Sequence, residues 1–365
     1  MRGPAPRPAC RNRQAPRIAS LPVPAQMEMP RPAPDEKWIR GLPKAEVHLH
    51  LEGCVPYGLL EPAAAGSPPV PVEDGIPLLA GLSALLSYLD WSCGQMSRGE
   101  QLERIAYAVA ERARANGAGH VDVIVNPTHW PHWRGRLPAM VDALDAGFRA
   151  GESDHDVTSK LCVSLKRTQS KAEALELVEV LLDLGHPRVA ALSIDGNEED
   201  GRASHNERFA PAFERAAAGG LRRCAHAGES SGARGVREAV EMLGAERIDH
   251  GIRSIEDPSV IALLVSEEIP LDVCPTSNVL LGVVPTLAEH PIRRLREHKV
   301  RCSLNTDDPL LYGIDLAGEF RRSAEAFGWG TDELGEMARV GIESCFAEED
   351  RRRSLSAELS AYLSP

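Results

Sequence analysis

From Lys44 onward this chain repeats one unit, a short β-like run followed by a helical or long segment, and the repeat fits few folds. The runs are AEVHLHL (45–51), HVDVIVN (120–126), KLCVSLK (160–166), VAALSID (189–195), RRCAHAG (222–228), RIDHG (247–251), IPLDVCP (269–275) and VRCSLNT (300–306). Helical spacing of apolar residues fills 101–117, 171–185, 235–244 and 258–268, and several of these stretches close on glycine, as helices commonly do. Eight β-then-α units predict an α/β fold, a single parallel (β/α)8 TIM barrel over residues 37–365. A doubly wound open sheet is the alternative, but it calls for a Gly-rich phosphate loop after the first strand, and HLHLEGCVP is not one.

The interval between the first two runs is long. It holds GSPPVPVEDG and then a helical pattern in which Leu82, Leu85, Leu86 and Leu89 fall on one side, with Trp91 close by. An insertion after strand one of a barrel projects over the mouth, so this helix reads either as a substrate lid or as a helix packed on the barrel flank.

The first 36 residues are rich in Pro and Arg and poor in large apolar side chains. Such a segment cannot bury enough surface to offset its ordering entropy, so it reads as a disordered tail. It has no apolar core of a secretory signal, and its repeated Pro disfavours the amphipathic helix of a transit peptide. A start at Met27 or Met29 is the alternative, which an intact mass containing residues 1–26 would exclude. The formal net charge of −12 argues against a nucleic-acid surface, which needs clustered cations. No apolar run is long enough to span a membrane. Eight cysteines without a CxxC pair, several in apolar runs, read as reduced buried thiols of a cytoplasmic protein. Oligomeric state is not legible.

A barrel of this kind works at the C-terminal ends of its strands. Here those ends carry His48 and His50; His129 and His132; Asp195 and Gly196; His226 and Glu229; His250; and Asp307 and Asp308. Residues two apart on a strand share a face, so His48 and His50 converge. With His226 and Asp307 they make a His₃Asp set that suits one Zn²⁺ with a position left for water. Zinc lowers the pKa of that water to roughly 7. Glu229 and His250 are then the acid/base candidates. An isolated HxH pair is a weak signal, since strand histidines are often satisfied by backbone carbonyls. Asp307-Asp308 before Pro309 also fits a helix N-cap. The five strand ends together are much harder to explain structurally.

The pieces PKAEVHLHLEG, SIDGNE, AHAGE, RIDHG, VCPTSN and SLNTDDP, in this order, resemble the adenosine deaminase family of zinc aminohydrolases from about Trp38 to near the C-terminus. The resemblance implies one zinc per chain on His48, His50, His226 and Asp307. It implies that Glu229 protonates N1 of a 6-aminopurine and that His250 orients the zinc-bound hydroxide. Asp308 would bond N7, the Gly196 N–H would meet N3, and His50 would also face the substrate. One departure stands out. Family members acting on adenosine typically carry Asp at the position of Glu52, where it bonds the ribose. Glu resembles members acting on adenine or other 6-aminopurines. The expectation is therefore purine deamination, with adenosine first and adenine or a modified nucleoside such as aminodeoxyfutalosine second. A two-metal hydrolase bridged by a modified lysine is a weaker reading, since strand four ends Ile194-Asp195-Gly196 and only Lys166 on strand three is near. A non-catalytic binding barrel would be expected to have lost ligands or the acid, and this chain keeps them. A cytidine-deaminase fold needs a PCxxC stretch that is absent.

Overall fold

The computed structural model describes residues 34–60, 66–198 and 205–364. The expected tail up to residue 33 lies outside the described residues. Residues 34–36 are described, and a helix already begins at Glu36, capped by the Asp35 side chain.

All eight β-like runs form strands: β1 (Lys44–His50), β2 (Ala118–Val125), β3 (Thr158–Lys166), β4 (Val189–Asp195), β5 (Arg222–Ala227), β6 (Arg247–His250), β7 (Leu271–Val273) and β8 (Cys302–Leu304). Each pairs in parallel with the next in one eight-stranded sheet. A parallel bridge from Leu49 to Asp307 joins the end of the series back to β1. This is the (β/α)8 barrel. The doubly wound alternative is excluded, because an open sheet has no such return.

The strands form where apolar residues are dense on both faces, as a parallel sheet covered by helices requires; β2 is buried along its whole length. The helices show their own local causes. Lys171–Leu184 starts at a Ser170/Glu173 capping box and stops at Gly185, whose φ of 53° is left-handed. Gly99–Ala115 buries Leu102, Ile105, Ala106, Val109 and Ala113, one stripe at helical spacing. A large core fills the space between strands and helices. A small second cluster of Ile124, Cys162, Ala191, Cys224 and Phe346 lies apart from it. The seven described cysteines are free and buried, as their apolar surroundings predicted. Among the described residues no helix is long and apolar enough to cross a membrane.

The insertion after β1 contains a two-residue ribbon (Val72–Glu73 with Ile76–Pro77) and the helix Leu82–Cys93. Leu82, Leu85, Leu86 and Leu89 line the pocket at the mouth of the barrel, which is the lid position rather than the flank.

Candidate active site

The pocket at the C-terminal ends of the strands is walled by His50, Glu52, His129, Asp195, Gly196, His226, Glu229, His250, Asp307 and Asp308, and closed by the insertion leucines and Leu281. No lysine is among the residues that line it, Lys166 included. His132 turns away to the Gly94 carbonyl, 3.0 Å from its Nε2.

Local backbone explains how the histidines arrive. On β1 the register slips between Glu46 and Leu49, where Asn305 Oδ1 accepts from the N–H groups of both Val47 and His48, at 2.8 and 3.2 Å. Simple alternation would give Glu46 the surroundings of His48. Instead Glu46 accepts from Thr306 Oγ1 at 2.5 Å and lines a separate cavity against the helix Gly99–Ala115. His250 also departs from alternation. Its neighbour Asp249 pairs in register with His226 and shares its face. His250 has φ 67°, and its ring lies 5.3 Å from that of His226, centroid to centroid. Asp307 has φ 65°. Left-handed backbone at non-glycine residues is costly, and two of the six described instances, His250 and Asp307, fall at this site.

Four donor groups meet at one point. His50 Nε2 and His226 Nε2 are 3.0 Å apart. Asp307 Oδ1 is 3.3 Å from Nε2 of His48 and equally from Nε2 of His50. The remaining ring nitrogens set the tautomers. His48 Nδ1 lies 3.0 Å from the Asp272 carbonyl, which can only accept, so the neutral ring carries its proton on Nδ1 and leaves the Nε2 lone pair for a metal. His226 Nδ1 lies 3.2 Å from the Asp249 carboxylate, whose charge favours a proton on that nitrogen. Burial pushes His50 down to about 4, keeping it neutral. Asp307 is held well below the carboxylate range despite its burial, by the imidazoles of His48, His250 and His50 packed around it. Its second oxygen accepts from Ser277 Oγ at 2.6 Å. Lone pairs and a carboxylate thus face one another in a buried space. His48 Nε2 has no hydrogen-bond partner there. Such a set repels itself until a cation enters, and all four donors lie within 4.8 Å of one another. The residues fit one divalent metal.

Beside this set, Glu229 Oε1 is 3.6 Å from His250 Nε2. Burial, then the charge of Asp307, pushes Glu229 up to about 8, so it is protonated at neutral pH. Its loop is held by Glu198, whose carboxylate accepts from the N–H groups of Gly228, Glu229, Ser230 and Ser231 at 2.7, 2.9, 2.8 and 3.1 Å. Arg167 faces Glu198 and donates to the His226 carbonyl. Burial and Asp307 likewise raise Asp308 far above the carboxylate range, and its Oδ1 is buried without a partner. A Cβ on Gly53 would stand 2.5 Å from the Asp308 Cα, so only glycine lets the turn after β1 approach Asp308 so closely. Gly196 sits at φ 93°.

Glu52 is buried in the wall. Its Oε1 accepts from Trp130 Nε1–H at 2.7 Å and from the Asn126 N–H at 2.8 Å. Its Oε2 has no partner, and burial raises the group to about 7. His129 Nδ1 meets Asp90 Oδ1 of the insertion helix at 2.6 Å, tying the lid to the loop after β2.

Of the strand-end residues singled out from the sequence, the structure brings all but His132 into this one region. It adds Asp249, Ser277, Asn278, Asn305, Glu198 and Trp130, which sequence reasoning missed. Most had a readable signal, since Asp249 lies inside RIDHG, Glu198 ends SIDGNE, Ser277 and Asn278 end VCPTSN and Asn305 lies in SLNTDDP.

The profile of the adenosine deaminase family matches residues 43–362. An adenine deaminase from Streptomyces coelicolor is 35% identical over 336 residues, 89% of this chain and 96% of that protein. An adenosine deaminase from Erwinia tasmaniensis is 31% identical over 335 residues, 88% of this chain and 98% of that protein. Among solved structures, the adenine deaminase of Arthrobacter aurescens superposes with a TM-score of 0.81 at 31% identity, covering 88% of this chain and 99% of that one. An amidohydrolase from Burkholderia ambifaria with bound Zn gives 0.79 at 27% identity, covering 90% and 93%.

Proposed function

This chain belongs to the adenosine deaminase family, and we propose that it hydrolyses the exocyclic amine of a 6-aminopurine, with free adenine as the preferred substrate and adenosine second. The reaction is adenine plus water to hypoxanthine plus ammonia.

The metal we propose is zinc, supported by the neutral-imidazole and carboxylate donors and by the zinc in the Burkholderia ambifaria relative. Held by Nε2 of His48, His50 and His226 and by Asp307, it would supply the Lewis acidity that makes water nucleophilic near pH 7.

The chain's own residues do the rest. Glu229, protonated and buried, donates to N1, which makes the adjacent ring carbon electrophilic. Its carboxylate can then collect a proton released at that carbon and pass it to the departing amine. His250 offers a hydrogen bond from Nε2 beside Glu229. Asp308, kept neutral, can donate to N7, and the Gly196 N–H reaches N3. The leucines of the insertion cover the ring face and exclude water.

One observation carries the preference for the free base. Glu52 Oε1 is fully engaged by Trp130 and Asn126, and Oε2 is left as an unpartnered buried oxygen in the pocket wall. The N9–H of adenine would satisfy it. A ribose removes that hydrogen and claims the same space, while the roof opposite is built of leucines that offer ribose hydroxyls nothing.

A substrate panel of adenine, adenosine and aminodeoxyfutalosine on zinc-loaded enzyme, read by absorbance loss and ammonia release, tests this. Adenine is expected to give the highest kcat/KM. A higher value for adenosine would overturn the substrate assignment, and no turnover of any aminopurine would overturn the reaction. Glu52→Asp is expected to move the ratio towards adenosine.

A further inference from the structure

A fully buried chain of hydrogen bonds runs from the protein interior to His250. The backbone N–H of Ile292 points at His290 Nδ1, 3.2 Å away. His290 Nε2 meets Asn278 Oδ1 at 3.1 Å, and Asn278 Nδ2 meets His250 Nδ1 at 3.2 Å. His290 is 3% exposed, and Asn278 and His250 are 0% and 1% exposed.

The proton positions follow from the one member that has no choice. A backbone N–H can only donate, so His290 Nδ1 accepts. A neutral imidazole then carries its single proton on Nε2, and burial does keep His290 neutral, pushing it down to about 3. That Nε2–H needs an acceptor, so Asn278 must turn its carbonyl oxygen to His290. The amide nitrogen is left facing His250, where it can only donate. His250 Nδ1 therefore accepts, and its proton sits on Nε2, the nitrogen directed at Glu229 Oε1.

We propose that His290 is a positioning residue for the reaction: through Asn278 it fixes His250 as the Nε2–H tautomer. In that state His250 is a hydrogen-bond donor to the reacting groups. It has no lone pair on Nε2 with which to take the proton of the attacking water, so its part is to hold and orient. Without His290 the Asn278 amide is free to reverse and present oxygen to His250. That would pull the proton to Nδ1 and leave a lone pair where a donor is needed. A wrong tautomer behind an intact geometry is known to be costly in catalysis.

The functional half of this inference rests on the assignment of His250 to the reaction; the tautomer itself does not. Two-bond ¹⁵N–¹H spectra of the zinc-loaded enzyme, with His250 identified from a His250→Asn variant, read the tautomer whatever the substrate. The expected result is Nε2–H in the native protein. Nδ1–H there would overturn the relay.

Steady-state kinetics on the best aminopurine then separate positioning from packing. His290→Phe is expected to lower kcat ~10²-fold with KM within about twofold and zinc content unchanged. His290→Gln, whose amide can reach Asn278, should recover most of kcat. His290→Asn can cap the Ile292 N–H but is too short to reach Asn278, and should not recover it. Recovery by Asn and not by Gln would mean that His290 is only a structural cap, and would overturn the positioning role. If no aminopurine is turned over, the reaction assignment fails, while the spectra still decide the relay.

Discussion

The two ends of this barrel treat buried charge in opposite ways. At the end where the strands begin, Arg247 lies between two carboxylates, with Nη1 2.5 Å from Asp122 and Nε 3.0 Å from Asp272. Nη2 donates to the Val47 carbonyl, and the guanidinium stacks 4.1 Å over the Phe346 ring. His120 completes Asp122 from the other side at 2.9 Å, and Thr158 completes His120. At the mouth, imidazole faces imidazole and Asp307 stands beside Asp308. At the base the protein answers its own charges. At the mouth it withholds the answer and so creates demand for a cation and a substrate. The two meet in Asp272, whose carboxylate serves Arg247 while its carbonyl orients His48.

Breaking one end should therefore cost activity and breaking the other should cost stability. The largest effect belongs to the metal. Exhaustive chelation is expected to abolish turnover, with recovery on adding zinc. The melting temperature should rise with zinc in the native protein but not in Asp307→Asn, because binding to the folded state alone stabilises it. An unchanged rate after chelation, with metal content verified as zero, would contradict the site.

Next comes Glu229→Gln, expected to lower kcat by ~10³, about 4 kcal/mol of barrel-mouth chemistry, while leaving zinc content and melting temperature as they were. Retained activity would remove Glu229 from its role. At the opposite end, Arg247→Met leaves Asp122 and Asp272 buried without a cation. Urea unfolding should show a loss of about 3–5 kcal/mol, with kcat per folded molecule within about twofold. A loss below about 1 kcal/mol would show that the base network is dispensable.

The smallest effect is a titration. Glu229 acts in its protonated form, and its pKa is raised to about 8. Activity is therefore present below that value and falls as pH rises through it. The alkaline limb should vanish from the residual activity of Glu229→Gln; a limb that persists there belongs to another group.

Much of this contrast was legible in the sequence. Eight apolar runs, each followed by a helical or long segment, announced the barrel, and residues at their C-terminal ends announced the mouth. His48, His50, His226 and Asp307 could be grouped because strand ends of a barrel must converge. What was not legible depends on departures from regularity. The slip between Glu46 and Leu49 gives two same-parity residues different surroundings, and alternation has no means of showing it. His250 is offset by one from the face of Asp249, and only a left-handed backbone returns it to the mouth. Asn278, His290 and Glu198 lie on a helix and loops far from their partners in sequence, so their hydrogen bonds exist only once the chain has closed. The run IPLDVCP also ends later than its strand, because Pro275 starts a helix that β-like composition concealed.

The join between Leu49 and Asp307 has a consequence for when the site comes into being. The Asp307 N–H donates to the His48 carbonyl, and the His50 N–H donates to the Asp307 carbonyl, at 3.1 and 2.8 Å. The residues proposed to grip the metal are thus also the stitches that close the ring. On the ribosome, His48 and His50 emerge long before Asp307, and they have no fourth donor until the last strand docks against the first. Such distant contacts form late, after the entropy of closing a very long loop has been overcome. Metal capture at the proposed site would therefore be timed by the fold itself: a chain that has not reached Asp307 offers three loose histidines, and only a finished one offers a cage.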